Sequence, residues 1–135
     1  MARVLVLDDD EDFRSYLVTL LKRAGHEAIG LPDGSHLKNA LESGVVDVIV
    51  TDLYMPNVDG IETAEFVTRH APTIPLIGIS GSAIGARDPC VEAMKLFGAR
   101  AVLAKPLDPA AFLSELQNAL SSVEAVRKDG DTTSS

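Results

Sequence analysis

Short apolar runs alternate with stretches of helical period along the chain. The apolar runs are residues 4–7, 28–31, 45–50, 76–79 and 101–104. Between them, apolar residues recur at three- and four-residue steps, the period of an amphipathic helix. The run 45–50 is interrupted only by Asp47, which is typical of a strand covered on both faces. Repeated strand–helix units predict an α/β fold, with a parallel sheet and helices on both faces.

Capping residues give bounds to the predicted helices, which are 13–24, 34–43, 60–70, 84–97 and 109–123. Gly25 and Gly98 follow two of these helices, where a left-handed glycine commonly ends a helix. Asp108 and Pro109 suit the N-cap and first position of the last helix. Residues 127–135 are polar and lack apolar anchors, which predicts a frayed end.

Composition narrows the class of protein. The 135 residues suit one domain, and the net charge of -8 argues against a nucleic-acid-binding surface. The first apolar run reaches Asp8 too soon for a signal peptide, and no apolar stretch is long enough to span a bilayer. The single cysteine gives no sign of an oxidising compartment. We therefore expect a cytoplasmic protein without membrane insertion or direct nucleic-acid binding.

Chemically active residues follow the predicted strands. Asp8 and Asp9 end the first strand, Asp52 the third, Ser80 the fourth and Lys105 the fifth. In open parallel sheets, ligands bind at the carboxyl ends of the strands. We expect these five residues to converge at one edge of the sheet.

Clustered carboxylates need a cation. Two like charges ~4 Å apart repel by about 4 kcal/mol at an effective dielectric near 20. Mg²⁺ prefers oxygen ligands and offsets charge on a transferring phosphoryl group. An Asp carboxylate can act as the nucleophile and form an aspartyl phosphate. Lys105 and Ser80 are suited to bind phosphoryl oxygens.

Each residue alone has a simpler interpretation. The acids at 8–10 suit a helix N-terminus, and Asp10 with its neighbours 11 and 12 is expected to do only that. Asp52 alone could form a turn, and Ser80 alone could cap a helix or a turn. Lys105 alone would be an ordinary surface lysine. The joint occurrence of all the sites favours the functional interpretation.

Other residues are expected to be structural. The histidines at 26, 36 and 70 lack metal-ligand spacing and are predicted to lie on the surface. Met94 and Phe97 are predicted to lie in the core, and Gly60 to meet a backbone requirement of the loop after Asp52.

Four segments, taken in order, carry a family resemblance: VLVLDDDEDFR, IVTDLYMPNVDG, IGISGS and GARAVLAKP. Each ends a predicted strand, and together they resemble the motifs of the response-regulator receiver family over about residues 2–123. The resemblance implies a doubly wound (βα)5 fold with flavodoxin-like strand order 2-1-3-4-5. It also implies a receiver domain over 1–124, followed by a flexible polar tail over 125–135.

The resemblance implies a role for each matching residue. Asp52 would be the phosphoacceptor. Asp9 would bind Mg²⁺, or another divalent cation such as Mn²⁺, directly, and Asp8 would bind it through water. Asp52 and the backbone carbonyl of Tyr54 would complete the metal ligands.

Two further residues would serve the phosphoryl group. Ser80 would bind it and move with it, and Lys105 would pair with it. Pro106 would follow Lys105 through a cis bond, as is typical of the family.

Partners and activity also follow from the resemblance. A sensor histidine kinase or a histidine phosphotransfer protein would supply the phosphoryl group. The protein would not be an enzyme beyond catalysing its own phosphorylation and dephosphorylation. If the chain ends at Ser135, it carries no output module and would act by switching protein–protein interactions or relaying phosphate.

Three features depart from the family pattern. Gly81 follows Ser80 where Ala is usual, and the stretch from Ser80 to Gly98 is a few residues longer. Val102 stands three before Lys105, where Tyr or Phe is common. Because Val is too short to swing as a ring does, we expect the segment after Ser80 to carry the response to phosphorylation.

Two other functions compete with the receiver. A haloacid-dehalogenase-type phosphohydrolase also uses an Asp-x-Asp pattern after its first strand, as Asp8 and Asp10 offer, but places its acidic pair late in the chain and usually has a cap domain. A receiver serving only as a phosphate sink or scaffold is the other alternative. The complete set of site residues argues against a degenerate scaffold.

Overall fold

The computed structural model describes residues 2–53, 60–81 and 89–133, without the side chains of 43, 89, 90 and 122–133. Its strands are β1 Arg3–Leu7, β2 Glu27–Leu31, β3 Val48–Asp52, β4 Leu76–Ser80 and β5 Ala101–Ala104. Its helices are α1 Glu11–Arg23, α2 Leu37–Ser43, α3 Gly60–His70, α4 Pro89–Leu96 and α5 Pro109–Thr133. A 3₁₀ turn at Gly34–His36 leads into α2.

The five strands form one parallel sheet in the order β2-β1-β3-β4-β5, which confirms the predicted topology. All residues of β3 and β4 are buried. β3 begins at Val48 rather than at Val45, whose side chain is 62% exposed. The Asp47 carboxylate accepts the Arg3 backbone N–H (2.9 Å), which places this acid before the buried strand.

Helices cover both faces of the sheet, because successive β1 residues point to opposite sides. Val4 and Val6 pack in the cluster that holds α1 and α5, whereas Leu5 and Leu7 pack in the cluster that holds α2, α3 and α4. Phe112 of α5, in the first cluster, is fully buried. This is the doubly wound arrangement that the sequence predicts.

The predicted caps are confirmed. The Asp10 carboxylate accepts the N–H groups of residues 12 and 13 at the start of α1. The Asp108 carboxylate accepts the Ala110 N–H (3.1 Å) at the start of α5. Gly25 and Gly98 have φ of 92° and 103°, the left-handed conformation that ends α1 and α4. The Lys105–Pro106 peptide bond is cis, as the family resemblance implies.

The last two helices of the chain, α4 and α5, differ from their predicted bounds. α4 begins at Pro89 in the described part of the chain, and predicted helical residues 84–88 lie outside it. α5 continues through Thr133 instead of ending near 123, so the backbone of the predicted tail is helical that far. No proline interrupts the helix after Pro109, and Ala, Arg and Lys in this stretch favour the helical backbone.

Two side-chain predictions were wrong. Phe97 is 40% exposed because it follows the last residue of α4 and leaves its apolar stripe, whereas Met94 is fully buried as predicted. His26 is half-buried, and its Nδ1 accepts the Ala2 N–H (3.1 Å). Burial, with the charge of the chain's N-terminal amine, lowers the pKa of His26. His36 and His70 are exposed, as predicted.

Within the described residues, the helices are too short or too polar for any of them to cross a lipid bilayer.

Candidate functional site

The carboxyl ends of four strands meet at one edge of the sheet. Asp8 directly follows β1, and its N–H donates to the Leu31 carbonyl (3.1 Å), extending the β1–β2 ladder by one residue. Asp52 and Ser80 are the last residues of β3 and β4. The Lys105 N–H donates to the Ser80 carbonyl (2.8 Å), which places Lys105 just beyond β5 at the same edge.

Three carboxylates cluster at this edge. Asp8, Asp9 and Asp52 each have an oxygen within 4.8 Å of the other two. Asp8 and Asp52 are buried, whereas Asp9 is exposed. The predicted cluster therefore forms, with two members shielded from water and one facing it.

Burial and mutual repulsion make ionisation of the cluster unfavourable. Burial, followed by the charge of Asp8, raises the pKa of Asp52 to about 6, although Lys105 acts in the opposite direction. Burial also raises the pKa of Asp8, which the Asp10 N–H and Lys105 partly oppose. Among the described residues, the partners of these carboxylates therefore do not fully balance their negative charge.

Lys105 supplies positive charge inside the cluster. Its Nζ lies 3.3 Å from Asp8 Oδ2 and 3.8 Å from Asp52 Oδ2. The Lys105 side chain is 22% exposed, so most of it is held out of solvent. Three carboxylates and one ammonium leave two negative charges, which one divalent cation would balance.

The donor set fits Mg²⁺. Every side-chain donor is a carboxylate oxygen, the ligand type that Mg²⁺ prefers. Mg²⁺ binds oxygens at about 2.0–2.1 Å, so two directly bound oxygens lie at most about 4.2 Å apart. The three carboxylate oxygens lie within 4.8 Å of one another, a spacing comparable to this span, so the cluster is of the right size for one cation.

Backbone contacts fix the two buried carboxylates. The Asp10 N–H donates to Asp8 Oδ1 (2.9 Å), and the Leu53 N–H donates to Asp52 Oδ1 (3.0 Å). The Thr51 hydroxyl donates to the Asp52 carbonyl (3.0 Å). Each acid thus presents its other oxygen, Oδ2, towards Lys105.

Arg14 is a site neighbour that the sequence analysis missed. Its Nη1 donates to the Asp8 carbonyl (2.8 Å). The side chain crosses β2 over Gly30, where an added Cβ would lie only 2.9 Å from Arg14 Cγ. Arg14 lies in the VLVLDDDEDFR segment, but only the three-dimensional structure shows that Gly30 makes room for it.

Some predicted site features lie outside the described residues. Tyr54, whose carbonyl was expected to bind metal, is one of them. Residues 82–88 of the predicted responding segment, which begins at Gly81, are the others. Gly81 is described, and a Cβ there would make an ordinary contact of 3.5 Å with Lys105 Cδ. Val102 is half-buried against the cluster that holds α4.

Comparison with known proteins agrees with the site. The family profile described as the response regulator receiver domain matches residues 4–117. The chain belongs to this family. Receiver domains are signalling modules of two-component systems rather than classical enzymes, and they generally bind Mg²⁺ at an acidic pocket. The dehalogenase alternative is not favoured.

The receiver domain has relatives of similar size. It is 31% identical to the response regulator receiver protein CpdR of Brucella abortus, covering 89% of this chain and 98% of CpdR. The crystal structure of chemotaxis protein CheY4 of Vibrio cholerae has 28% identity and a TM-score of 0.80, covering 89% of this chain and 99% of CheY4. A receiver domain protein from Clostridium thermocellum has 26% identity and a TM-score of 0.83, covering 93% of this chain and 99% of that protein's chain.

Longer relatives contain the receiver as one part. The autoinducer sensor kinase/phosphatase CqsS of Vibrio cholerae is 35% identical over 82 residues, which cover 58% of this chain and 12% of CqsS. The family is therefore shared by proteins with very different overall activities.

Proposed function

We propose that Asp52 accepts a phosphoryl group from the phosphohistidine of a partner protein. The observation that carries this proposal is the placement of Asp52 Oδ2. This oxygen belongs to a buried carboxylate at the end of β3, lies 3.8 Å from Lys105 Nζ and faces the acidic pair Asp8 and Asp9.

In the proposed reaction, an Asp52 carboxylate oxygen attacks the phosphorus of the phosphohistidine. The new P–O bond forms as the P–N bond breaks, and the electron pair of that bond passes to the imidazole nitrogen, which takes up a proton from solvent. The product is an aspartyl phosphate. Because the pKa of Asp52 is raised only to about 6, most of this carboxylate is ionised at neutral pH and available as a nucleophile.

Asp8, Asp9, Asp52 and the Tyr54 carbonyl would hold a divalent cation, Mg²⁺ or Mn²⁺. When bound, the cation neutralises charge on the phosphoryl oxygens. Asp9 suits direct binding because it is exposed, whereas the Asp8 carboxylate already accepts from Lys105 and the Asp10 N–H and suits a water-mediated role.

Lys105 would stabilise the phosphoryl group. Its ammonium already lies between two carboxylates, so a short shift would bring it to a phosphoryl oxygen. Ser80 ends the neighbouring strand and would donate its hydroxyl to another oxygen.

The proposed partners are a sensor histidine kinase or a histidine phosphotransfer protein. Family membership supports this, because receiver domains are phosphorylated by histidine kinases. The receiver unit would span residues 1–124 and switch protein–protein interactions. Its cytoplasmic location and the absence of nucleic-acid binding stay predictions.

Phosphorylation should occur once per chain, at Asp52. After incubation with acetyl phosphate and Mg²⁺, intact-mass spectrometry should show one phosphoryl adduct that hydroxylamine removes. Asp52→Asn should show none, because an amide is not a nucleophile of this kind. Omitting Mg²⁺ in the presence of a chelator should also prevent the adduct. A full adduct in Asp52→Asn would refute the assignment of this residue.

Asp9→Ala should weaken Mg²⁺ binding by at least about tenfold, since it removes one charged oxygen ligand. Its melting temperature without metal should be equal or higher, because the Asp9 charge adds to the repulsion on Asp8 and Asp52. Titration calorimetry and thermal denaturation measure the two effects. Asp12→Ala is the matched control, because Asp12 is a nearby exposed acid in the first turn of α1 that is not a member of the cluster. Equal Mg²⁺ affinity in both variants would place the metal elsewhere.

A further inference from the structure

The geometry points to Phe13 as a positioning residue for phosphoryl transfer, whose ring face holds the Lys105 ammonium between Asp8 and Asp52. This inference rests on the proposed function and adds to it a residue outside the acid, hydroxyl and lysine set. Lys105 Nζ lies 4.2 Å from the centroid of the Phe13 ring. A cation within about 6 Å of an aromatic face is attracted by the negative face of the ring.

Among the described residues, three neighbours of the ammonium together define its place. Two are the carboxylate oxygens of Asp8 (3.3 Å) and Asp52 (3.8 Å), and the third is the ring. The carboxylates alone would allow the flexible four-carbon stem to swing towards solvent. The ring gives the charged head of Lys105 a third point of contact, and an aromatic face is also a favourable surface for the apolar stem.

The ring is itself held in place. Phe13 lies in the first turn of α1 and packs against the core cluster beneath α1 and α5. Its ring contacts Tyr16, one turn further along, with centroids 5.9 Å apart and planes tilted by 41°. The Phe13 N–H donates to the capping carboxylate of Asp10 (3.3 Å), whose own N–H donates to Asp8. Ring and acid are therefore positioned by the same turn.

Holding the ammonium in advance matters for the reaction. Catalysis of phosphoryl transfer depends mainly on positioning and on charge stabilisation, and a lysine carries side-chain entropy that must otherwise be lost when it engages the phosphoryl group. A ring that restricts Lys105 beforehand lowers this cost. Replacing the ring with an aliphatic side chain should slow phosphorylation about fivefold, a typical effect for a half-buried cation–π contact.

The first test is spectroscopic and does not depend on phosphorylation. A side chain that lies over a ring face has an upfield ring-current shift, so the Lys105 ε-methylene signals of the metal-free wild type should lie upfield of those of exposed lysines. Phe13→Leu should abolish this shift and Phe13→Tyr should retain it. An unshifted Lys105 signal in the wild type, or a shift that survives in Phe13→Leu, would overturn the inference.

Phe66→Leu is the matched control. Phe66 is also half-buried on a helix and also contacts a second ring, that of His70 (4.4 Å between centroids), but it lies on α3 and packs in the other core cluster. It should reproduce any general loss of stability without changing the Lys105 signal or the phosphorylation rate. A rate loss in Phe66→Leu as large as in Phe13→Leu would make the effect of Phe13 structural.

The second test measures rates of phosphorylation by acetyl phosphate with Mg²⁺. Phe13→Leu should be about fivefold slower than wild type, and Phe13→Tyr should restore most of the rate. In a Lys105→Ala background, Phe13→Leu should have no further effect, because the ring acts through the ammonium. The same fivefold loss in that background would contradict the inference. A wild type that takes up no phosphoryl group would instead refute the proposed function and leave the spectroscopic result to stand by itself.

Discussion

Asp52→Asn should raise the melting temperature of the metal-free protein at neutral pH. The pKa of Asp52 is raised from 3.8 to about 6 in the folded protein, so the folded state binds more protons than the unfolded state between these values. The free energy of unfolding therefore falls as the pH rises through this window, and the loss is complete by about pH 7. Asparagine removes the charge and should recover about 2 kcal/mol, or roughly 5 °C.

The pH profile distinguishes this cause from a general effect of the substitution. Between about pH 4 and 7 the metal-free wild type should lose stability, and Asp52→Asn should lose much less, because Asp8 is the one other described acid with a raised pKa. Glu65→Gln is the control, since Glu65 is an exposed acid on α3. Equal stability of wild type and Asp52→Asn at neutral pH would show that the cluster is not strained by its charge.

Mg²⁺ should reverse the order of the two melting temperatures, so that the wild type melts above Asp52→Asn. A ligand that binds only the folded state stabilises it in proportion to the logarithm of its concentration over Kd. Saturating Mg²⁺ should therefore stabilise the wild type strongly and Asp52→Asn weakly. This combination of a destabilised metal-free site and a metal-stabilised site is what a cluster of carboxylates built for a cation should show.

The placement of the site was predictable because it depends on topology. A parallel sheet brings the carboxyl ends of its strands to one edge, so finding where each apolar run ended was sufficient to bring Asp8, Asp52, Ser80 and Lys105 together. The prediction required no side-chain detail. An error in where a strand begins did not affect it. β3 begins at Val48, later than predicted, but this is the end of the strand opposite to Asp52 and the site.

The contacts around these residues were not predictable in the same way. Phe13 begins the first predicted helix, but its distance to Lys105 depends on where the first turn of α1 lies relative to the end of β5, 92 residues further along the chain. Arg14 reaches the Asp8 carbonyl because Gly30 has no side chain, which is a property of the neighbouring strand. Phe97 was misplaced because the end of α4 decides whether its ring faces the core.

Gly60→Ala should lower both stability and phosphorylation. A Cβ at Gly60 would lie 2.7 Å from the Asp52 carbonyl oxygen and 2.7 Å from Leu53 Cα, closer than side-chain carbons approach backbone. The Gly60 N–H also donates to the Leu53 carbonyl (2.9 Å), so α3 begins tightly against the end of β3. The backbone must shift, which should cost about 2 kcal/mol even after the better helix propensity of alanine.

The shift falls on Asp52, the proposed phosphoacceptor, which links the two losses. Moving the Asp52 backbone displaces its carboxylate relative to Lys105, and small misplacements of reacting groups cost about tenfold or more in rate. Gly81→Ala is the matched control, because a Cβ there would make only an ordinary contact of 3.5 Å with Lys105 Cδ. It should leave the melting temperature and the rate of phosphorylation by acetyl phosphate nearly unchanged. If Gly60→Ala behaves like Gly81→Ala in both measurements, the close approach of α3 to β3 does not constrain the site.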